Sequence, residues 1–224
     1  MAQQSLATVV RWPVPIALAI PALAATLVIT FTPGHTVWFG YLAFAAFALL
    51  TAGASGVGIA ALPSGTARGG SIAKTVLAAL AALVAVVLFA FSLVTPVDSA
   101  SGDGVWAGYA LGLSLTIAIA FAAFAVVDLV VGVRQRRADR FARDWITVGV
   151  VEAVAAVAIL AVPPTFHQAF SFTEKTGELI SGAVTSSTMV VGLLGGATAI
   201  LGVLYAIAGV GLVPERSRRE RAAA

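Results

Sequence analysis

The chain has 224 residues, of which 60% are hydrophobic and 10% are charged, with a mean hydropathy of +1.02 and a formal net charge of +3. Soluble domains carry about 25% charged residues, so this composition excludes a soluble enzyme or binding domain and indicates a helical membrane protein. Cysteine is absent and there are two histidines. Disulfides and thiolate metal sites are therefore excluded, and neither a metal site nor a cofactor is expected.

Six apolar runs are predicted to be membrane-spanning helices, because about 20 apolar residues are needed to cross the bilayer core. They cover residues 14–31, 37–62, 74–94, 105–133, 145–162 and 188–213. A cleaved signal peptide is the alternative for the first run, since Arg11 precedes it. That run continues to Phe31, which favours a retained span. The sequence thus predicts an all-α polytopic membrane protein with a single transmembrane domain over residues 1–224.

The connections between the runs carry the breaks and the polar residues. Pro63 is predicted to end the second helix, Lys74 to stand at the mouth of the third and Pro214 to end the sixth. The connection 165–186 is the longest on its side and is rich in apolar residues. From Thr173 it is predicted to form a short helix at the membrane interface, or a helix extension that covers the end of the bundle.

The basic residues predict the orientation. With six spans, all but one of the 13 Lys and Arg residues fall on the side of the basic loop 134–144, the exception being Lys175. Lys and Arg concentrate on the cytoplasmic side of membrane proteins, so both termini are predicted to be cytoplasmic. This distribution also accounts for the sequence pI of about 9.8, and no nucleic-acid partner is expected.

An internal repeat relates the spans to one another. The second run begins Val-Trp-Phe-Gly-Tyr at residues 37–41, and the fourth begins Val-Trp-Ala-Gly-Tyr at 105–109. The odd runs end alike, before Pro33, Pro96 and Pro163. Three helical hairpins are predicted, at about residues 11–68, 69–137 and 144–214, followed by a basic tail at 215–224. Chance similarity among helices rich in Ala, Val and Leu is the alternative.

The hairpin ladder, together with residues 29–35 (Ile-Thr-Phe-Thr-Pro-Gly-His) running into an aromatic-rich second helix, resembles the HdeD-like bacterial membrane proteins. The resemblance covers nearly the whole chain, and some actinobacterial relatives are labelled acyl-CoA synthetases. It implies a six-span inner-membrane protein associated with acid resistance, without catalytic residues or a transport substrate. A synthetase is excluded because the chain has no room for a soluble ligase domain. It also lacks a glycine-rich phosphate loop before Lys74.

Two acids lie inside predicted spans. Asp128 is six residues before Arg134 and Glu152 is eight residues after Asp144, which places them about 9 Å and about 12 Å from the basic loop. An ionised Asp at a helix centre costs about 2.5 kcal/mol or more, so such acids are protonated or paired. We expect a cytoplasm-facing proton or cation site with Lys74 and Arg134 as candidate partners. The alternative is an ion pair or an interhelical hydrogen bond with only a structural role, with Lys74 extending toward the interface.

His35 and His167 fall on the predicted outer side, where they are either pH-responsive or ordinary solvated histidines. The expected function is a non-enzymatic role in membrane stress or acid resistance. The alternatives are a small transporter or channel using Asp128 and Glu152, and an accessory subunit of a larger membrane complex. The expected partners are the lipid bilayer and a second copy or a membrane complex. A transporter should show a polar path, whereas a stress protein should show a dry core with isolated polar groups.

Overall fold

The computed structural model describes residues 12–94, 103–137, 141–175 and 179–222, with the backbone alone at 103–106, 180 and 213–222. These residues form six helices and a two-stranded hairpin. The elements are α1 (Pro13–Phe31), α2 (Val37–Ala61), α3 (Thr66–Val94), α4 (Asp103–Gln135), α5 (Ala142–Leu160), β1 (His167–Thr173), β2 (Leu179–Thr185) and α6 (Ser186–Ala222).

Five of the six helices, all except α5, are long and apolar enough to cross a membrane. This finding confirms the expected class of apolar helical fold. Helix α5 has 19 residues, as many as α1. Its three charged residues, Arg143, Asp144 and Glu152, all lie within these 19 residues, so α5 has no long segment that is as poor in charge as those of the other five helices.

Two helix boundaries differ from the sequence prediction. Helix α3 begins at Thr66, eight residues before Lys74, so Lys74 lies about 12 Å inside the helix rather than at its mouth. Gly70 packs against Val131 of α4 in this first part of α3. Helix α6 continues beyond Pro214 to Ala222, because a single proline removes one backbone hydrogen bond and the residues after it are good helix formers.

The connection between α5 and α6 is an antiparallel hairpin, so the predicted interface helix from Thr173 and the helix extension are both wrong. His167 pairs with Thr185 and Phe172 pairs with Ile180. The two segments contain alternating aromatic or β-branched residues, which favour strands. The rings of Phe170 and Phe172 stack with centroids 6.3 Å apart.

The even-numbered helices form the centre of the bundle, where α2, α4 and α6 contact one another. Each odd-numbered helix packs against two even ones: α1 against α2 and α6, α3 against α2 and α4, and α5 against α4 and α6. The most extensive packing joins α2 to α3, α4 to α5 and α1 to α6. These pairs connect neighbouring predicted hairpins, and the hairpin boundaries stay a prediction.

The core is apolar and dense where the central helices meet. A Cβ atom on Gly40 would lie 2.6 Å from Leu113 Cδ2 and 2.9 Å from Val191 Cγ2, so glycine permits the close approach of α2, α4 and α6. The outer surface carries many exposed large apolar side chains, including Ile20, Leu27, Phe31, Leu49, Leu83, Val94, Ile119, Val157 and Ile207. A surface of this kind is suited to lipid contact.

Candidate functional site

Four polar side chains from four different helices meet inside the bundle, and we refer to them as the Lys74 cluster. Lys74 of α3 places its Nζ atom 2.6 Å from Asp128 Oδ2 of α4 and 2.9 Å from Glu152 Oε1 of α5. The same Nζ atom donates to the Tyr205 hydroxyl of α6 at 3.0 Å. The three N–H groups of the ammonium therefore each have an acceptor.

The cluster is enclosed by protein. The relative exposures are 3% for Lys74, 0% for Asp128, 2% for Glu152 and 4% for Tyr205. The Phe124 ring covers one side, with its centroid 5.5 Å from Lys74 Nζ. Removing these charges from water is expensive, and the mutual attraction of ammonium and carboxylates offsets that cost only when the groups stay together.

Glycines bring the two acid-bearing helices close to each other. A Cβ atom on Gly149 of α5 would lie 2.8 Å from Leu129 Cγ of α4, and one on Gly132 of α4 would lie 2.7 Å from Ile146 Cγ1 of α5. Small residues at such positions let helix backbones approach closely. The result is that Asp128 and Glu152 reach the same ammonium group.

The charges within the cluster do not balance when every group is ionised, because one lysine faces two carboxylates. Among the residues that the structure describes, Asp128 Oδ1 and Glu152 Oε2 have no hydrogen-bond partner. The Tyr205 hydroxyl lies 3.5 Å from Asp128 Oδ2, the carboxylate oxygen that also accepts from Lys74. The arrangement leaves one excess negative charge and two free acceptor atoms, which is a chemistry suited to one proton or one small cation.

The structure brings Asp128, Glu152 and Lys74 of the predicted site together. Arg134 lies exposed at the end of α4 and makes none of the cluster's contacts. The interpretation of Lys74 as a side chain that extends toward the interface is wrong, because helix α3 begins two turns earlier and buries it.

Sequence reasoning missed Tyr205. A signal for it exists, since Tyr205 lies nine residues before Pro214, about 13 Å along the helix and close to the depth of the two acids. A tyrosine within an apolar span needs a partner for its hydroxyl group. The missing element was the identity of that partner, which depends on how α6 packs against α4 and α5.

His35 and His167 lie at the opposite end of the bundle, where both line a cavity of about 740 Å³. His35 Nε2 is 2.8 Å from the carbonyl oxygen of Ile29, and His167 is exposed. Within the described part of the chain, no group of three or more His, Asp or Glu side chains is placed to hold a metal ion.

The fold and the site together define a class: apolar helices of membrane-spanning length around one buried cluster of a lysine, two carboxylates and a tyrosine. No protein family, curated protein or solved structure matches this chain.

Proposed function

We propose that this chain is a non-enzymatic multi-pass membrane protein that binds one proton at the Lys74 cluster. The observation that carries the proposal is the single ammonium shared by two buried carboxylates, each with one oxygen that lacks a partner in the described structure. Protonation of one carboxylate removes the excess charge, and the O–H group of the resulting carboxyl can donate a hydrogen bond to an oxygen of the other carboxylate.

A proton suits the cluster better than a metal cation does. The Lys74 ammonium already lies within 2.9 Å of both carboxylates. A second cation about 4 Å from it would be repelled by about 4 kcal/mol at an effective dielectric constant of 20. A proton needs no such space, because it resides on one carboxylate oxygen.

The topology that we propose has six spans in three hairpin repeats, with both termini cytoplasmic. Helix α5 equals α1 in length and lies between α4 and α6, which supports a sixth span. The arrangement of three central helices and three flanking ones suits a threefold repeat of hairpins. In this topology the cluster lies in the cytoplasmic half of the bilayer.

The role that we propose is in acid or membrane stress, in keeping with the HdeD-like resemblance, with a homo-oligomer or membrane-complex partner as part of that role. The cluster is isolated by apolar packing, as expected of a protein that holds a bound proton rather than conducting protons across the membrane. A proton-coupled transporter is the second candidate. It is favoured by the cavity of about 740 Å³ at the other end of the same helices.

The test is acid survival of a host strain that lacks the protein. Wild type should restore survival, and Asp128→Asn combined with Glu152→Gln should not, at equal protein level in the membrane. Asp144→Asn is the matched control, because Asp144 is exposed in the first turn of α5 and should behave as wild type. Full restoration by the double variant would contradict the proposal.

Flux measurements separate the two candidates. Purified protein in liposomes should show no proton flux above that of empty vesicles when a pH gradient is applied. Substrate-dependent flux that the double variant abolishes would establish the transporter instead. Copurification of a second membrane protein from the native membrane would point to an accessory subunit of a larger complex.

A further inference from the structure

A cavity of about 740 Å³ lies at the end of the bundle opposite the Lys74 cluster, and we refer to it as the histidine cavity. Ala110 of α4 lines it, 18 residues before Asp128 in the sequence, which is about 27 Å along the helix. The cavity is therefore separate from the proposed proton site. Its volume is in the range of small-molecule sites, which is about 300 to 1,000 Å³.

The lining of the cavity favours an anion. It consists of His35 and His167, six hydroxyl side chains and apolar groups, and no Asp, Glu, Lys or Arg is among the described residues that form it. The six hydroxyls belong to Thr36, Thr165, Thr185, Ser186, Ser187 and Thr188. Hydroxyl and imidazole N–H groups are donors suited to oxyanions, and no carboxylate in the lining opposes a negative charge.

Two long helices begin at the cavity. Thr36 caps the N-terminus of α2 by accepting from the Phe39 backbone N–H at 3.2 Å, and α6 begins at Ser186. The N-terminus of a helix carries a partial positive charge and backbone N–H groups without helical partners, which attract anions. Both positive ends line the same space.

Ser186 supplies an independent observation that points to a ligand. It lines the cavity, it is 3% exposed, and its Oγ atom has no hydrogen-bond partner in the described part of the chain. Its neighbours are satisfied, since Thr185 Oγ1 lies 2.9 Å from Ser187 Oγ and 3.1 Å from Thr188 Oγ1. A buried hydroxyl without a partner is uncommon, and a bound oxyanion would satisfy it.

His35 links anion binding to pH. Its Nε2 must be the donor to the Ile29 carbonyl, because a carbonyl oxygen can only accept. In the neutral ring Nδ1 is then an acceptor, and in the protonated ring it becomes a second donor with a positive charge. The Phe39 ring stacks on His35 with centroids 5.7 Å apart, and His167 is the other titratable group in the lining.

We propose that the histidine cavity binds a phosphate-type oxyanion and binds it more tightly at acid pH. Two sources supply this chemistry: free phosphate in solution and the headgroup of a phospholipid at the membrane surface. The Ser186 hydroxyl and the α2 and α6 N-termini provide neutral donors, and His35 and His167 add charge when they are protonated.

The test is a titration of the purified full chain in a phosphate-free sugar detergent with inorganic phosphate and, separately, with short-chain phosphatidylglycerol. The pH dependence is measured with phosphatidylglycerol and with sulfate, because the charge of neither probe changes in this range, whereas inorganic phosphate gains a proton. We expect their binding to tighten about tenfold between about pH 8 and about pH 5, the effect of one added positive charge in a partly solvated site. Binding of the lipid without inorganic phosphate identifies a headgroup site, and binding of inorganic phosphate identifies a free-anion site.

Two variants and a control make the test specific. His167→Gln should remove the part of the pH dependence that His167 contributes and leave the part that His35 contributes. Ser186→Ala should weaken binding at every pH. Ser171→Ala is the matched control, since Ser171 is exposed in β1 and does not line the cavity. The proposal is overturned if neither probe binds, if binding has no pH dependence, or if Ser186→Ala binds as the control does while circular dichroism shows both variants folded.

Discussion

The Lys74 cluster and the histidine cavity are two polar regions of one apolar bundle, and they are built in opposite ways. The cluster holds formal charges in an enclosed site of four residues that are each at most 4% exposed. The cavity is open, holds no formal charge other than what its histidines acquire, and is lined by hydroxyl groups. Charge is tolerated deep in the bundle only because each charged group has a partner of opposite sign within hydrogen-bonding distance.

One face of α4 runs from the histidine cavity to the Lys74 cluster, and apolar side chains on this face separate the two regions. Between Ala110 at the cavity and Asp128 in the cluster, this face presents four large apolar side chains that are at most 1% exposed: Leu113, Ile117, Phe121 and Phe124. The Phe121 ring also stacks on Phe47 of α2 with centroids 6.0 Å apart. Along α4 the connection is therefore dry, which favours a proton-binding protein over an open channel.

The largest expected effect comes from breaking the pairing in the cluster. Lys74→Met leaves the two buried carboxyl groups with a negative charge that has no cation and should destabilise the protein by about 3 to 5 kcal/mol. Unfolding by a denaturing detergent in mixed micelles measures this loss. Adding Asp128→Asn and Glu152→Gln to Lys74→Met should recover most of it, because no unpaired charge remains. A Lys74→Met protein as stable as wild type would show that the cluster is not an interdependent unit.

A smaller effect is expected from separating the helices that carry the acids. Gly149→Ala places a Cβ atom 2.8 Å from Leu129 Cγ and 3.1 Å from the Ala125 carbonyl oxygen, and should destabilise the protein by about 1 to 3 kcal/mol. Gly196→Ala in α6 is the matched control, because nothing lies within 4 Å of its Cβ position. The same unfolding assay applies, and equal stability of the two variants would argue against close packing of α4 on α5.

The tyrosine should contribute less than the charged groups. Tyr205→Phe removes the third acceptor of the Lys74 ammonium, which is now 3.0 Å from the hydroxyl oxygen, and should destabilise the protein by about 1 to 2 kcal/mol. The effect should become smaller when Lys74 is already replaced by Met, because the hydroxyl then has no ammonium to accept from and keeps only its 3.5 Å contact with Asp128 Oδ2. A double-mutant cycle with Lys74→Met measures this coupling, and additive effects would place Tyr205 outside the cluster.

The smallest effect is expected at Arg134, the predicted partner that the structure leaves outside the cluster. Its side chain is exposed, so Arg134→Ala should change the free energy of unfolding by about 0.5 kcal/mol or less. A loss close to that of Lys74→Met would show that Arg134 participates in the cluster after all.

The sequence predicted much of the fold and three of the four residues of the Lys74 cluster. The apolar runs located four of the six helices to within a few positions, whereas α3 begins eight residues earlier and α6 ends nine residues later than predicted. The depth of Asp128 and Glu152 marked these two acids as unusual. The burial of Lys74 could not be predicted from Pro63, which marks only the end of α2, because the start of α3 depends on how Gly70 packs against Val131. Predicting that Tyr205 joins the cluster requires knowledge of which helices are neighbours. Predicting the β-hairpin requires knowledge of the strand pairing, in a connection whose composition suggested a helix.

In the proposed function, the Lys74 cluster holds one proton between its two carboxyl groups. Infrared spectroscopy of the protein in nanodiscs at neutral pH tests it directly, because a protonated carboxyl group has a C=O stretching band that a carboxylate lacks. The wild-type protein should show one such band, which should be absent in the protein with Asp128→Asn and Glu152→Gln and retained in Asp144→Asn. A wild-type spectrum without a protonated carboxyl band would contradict it.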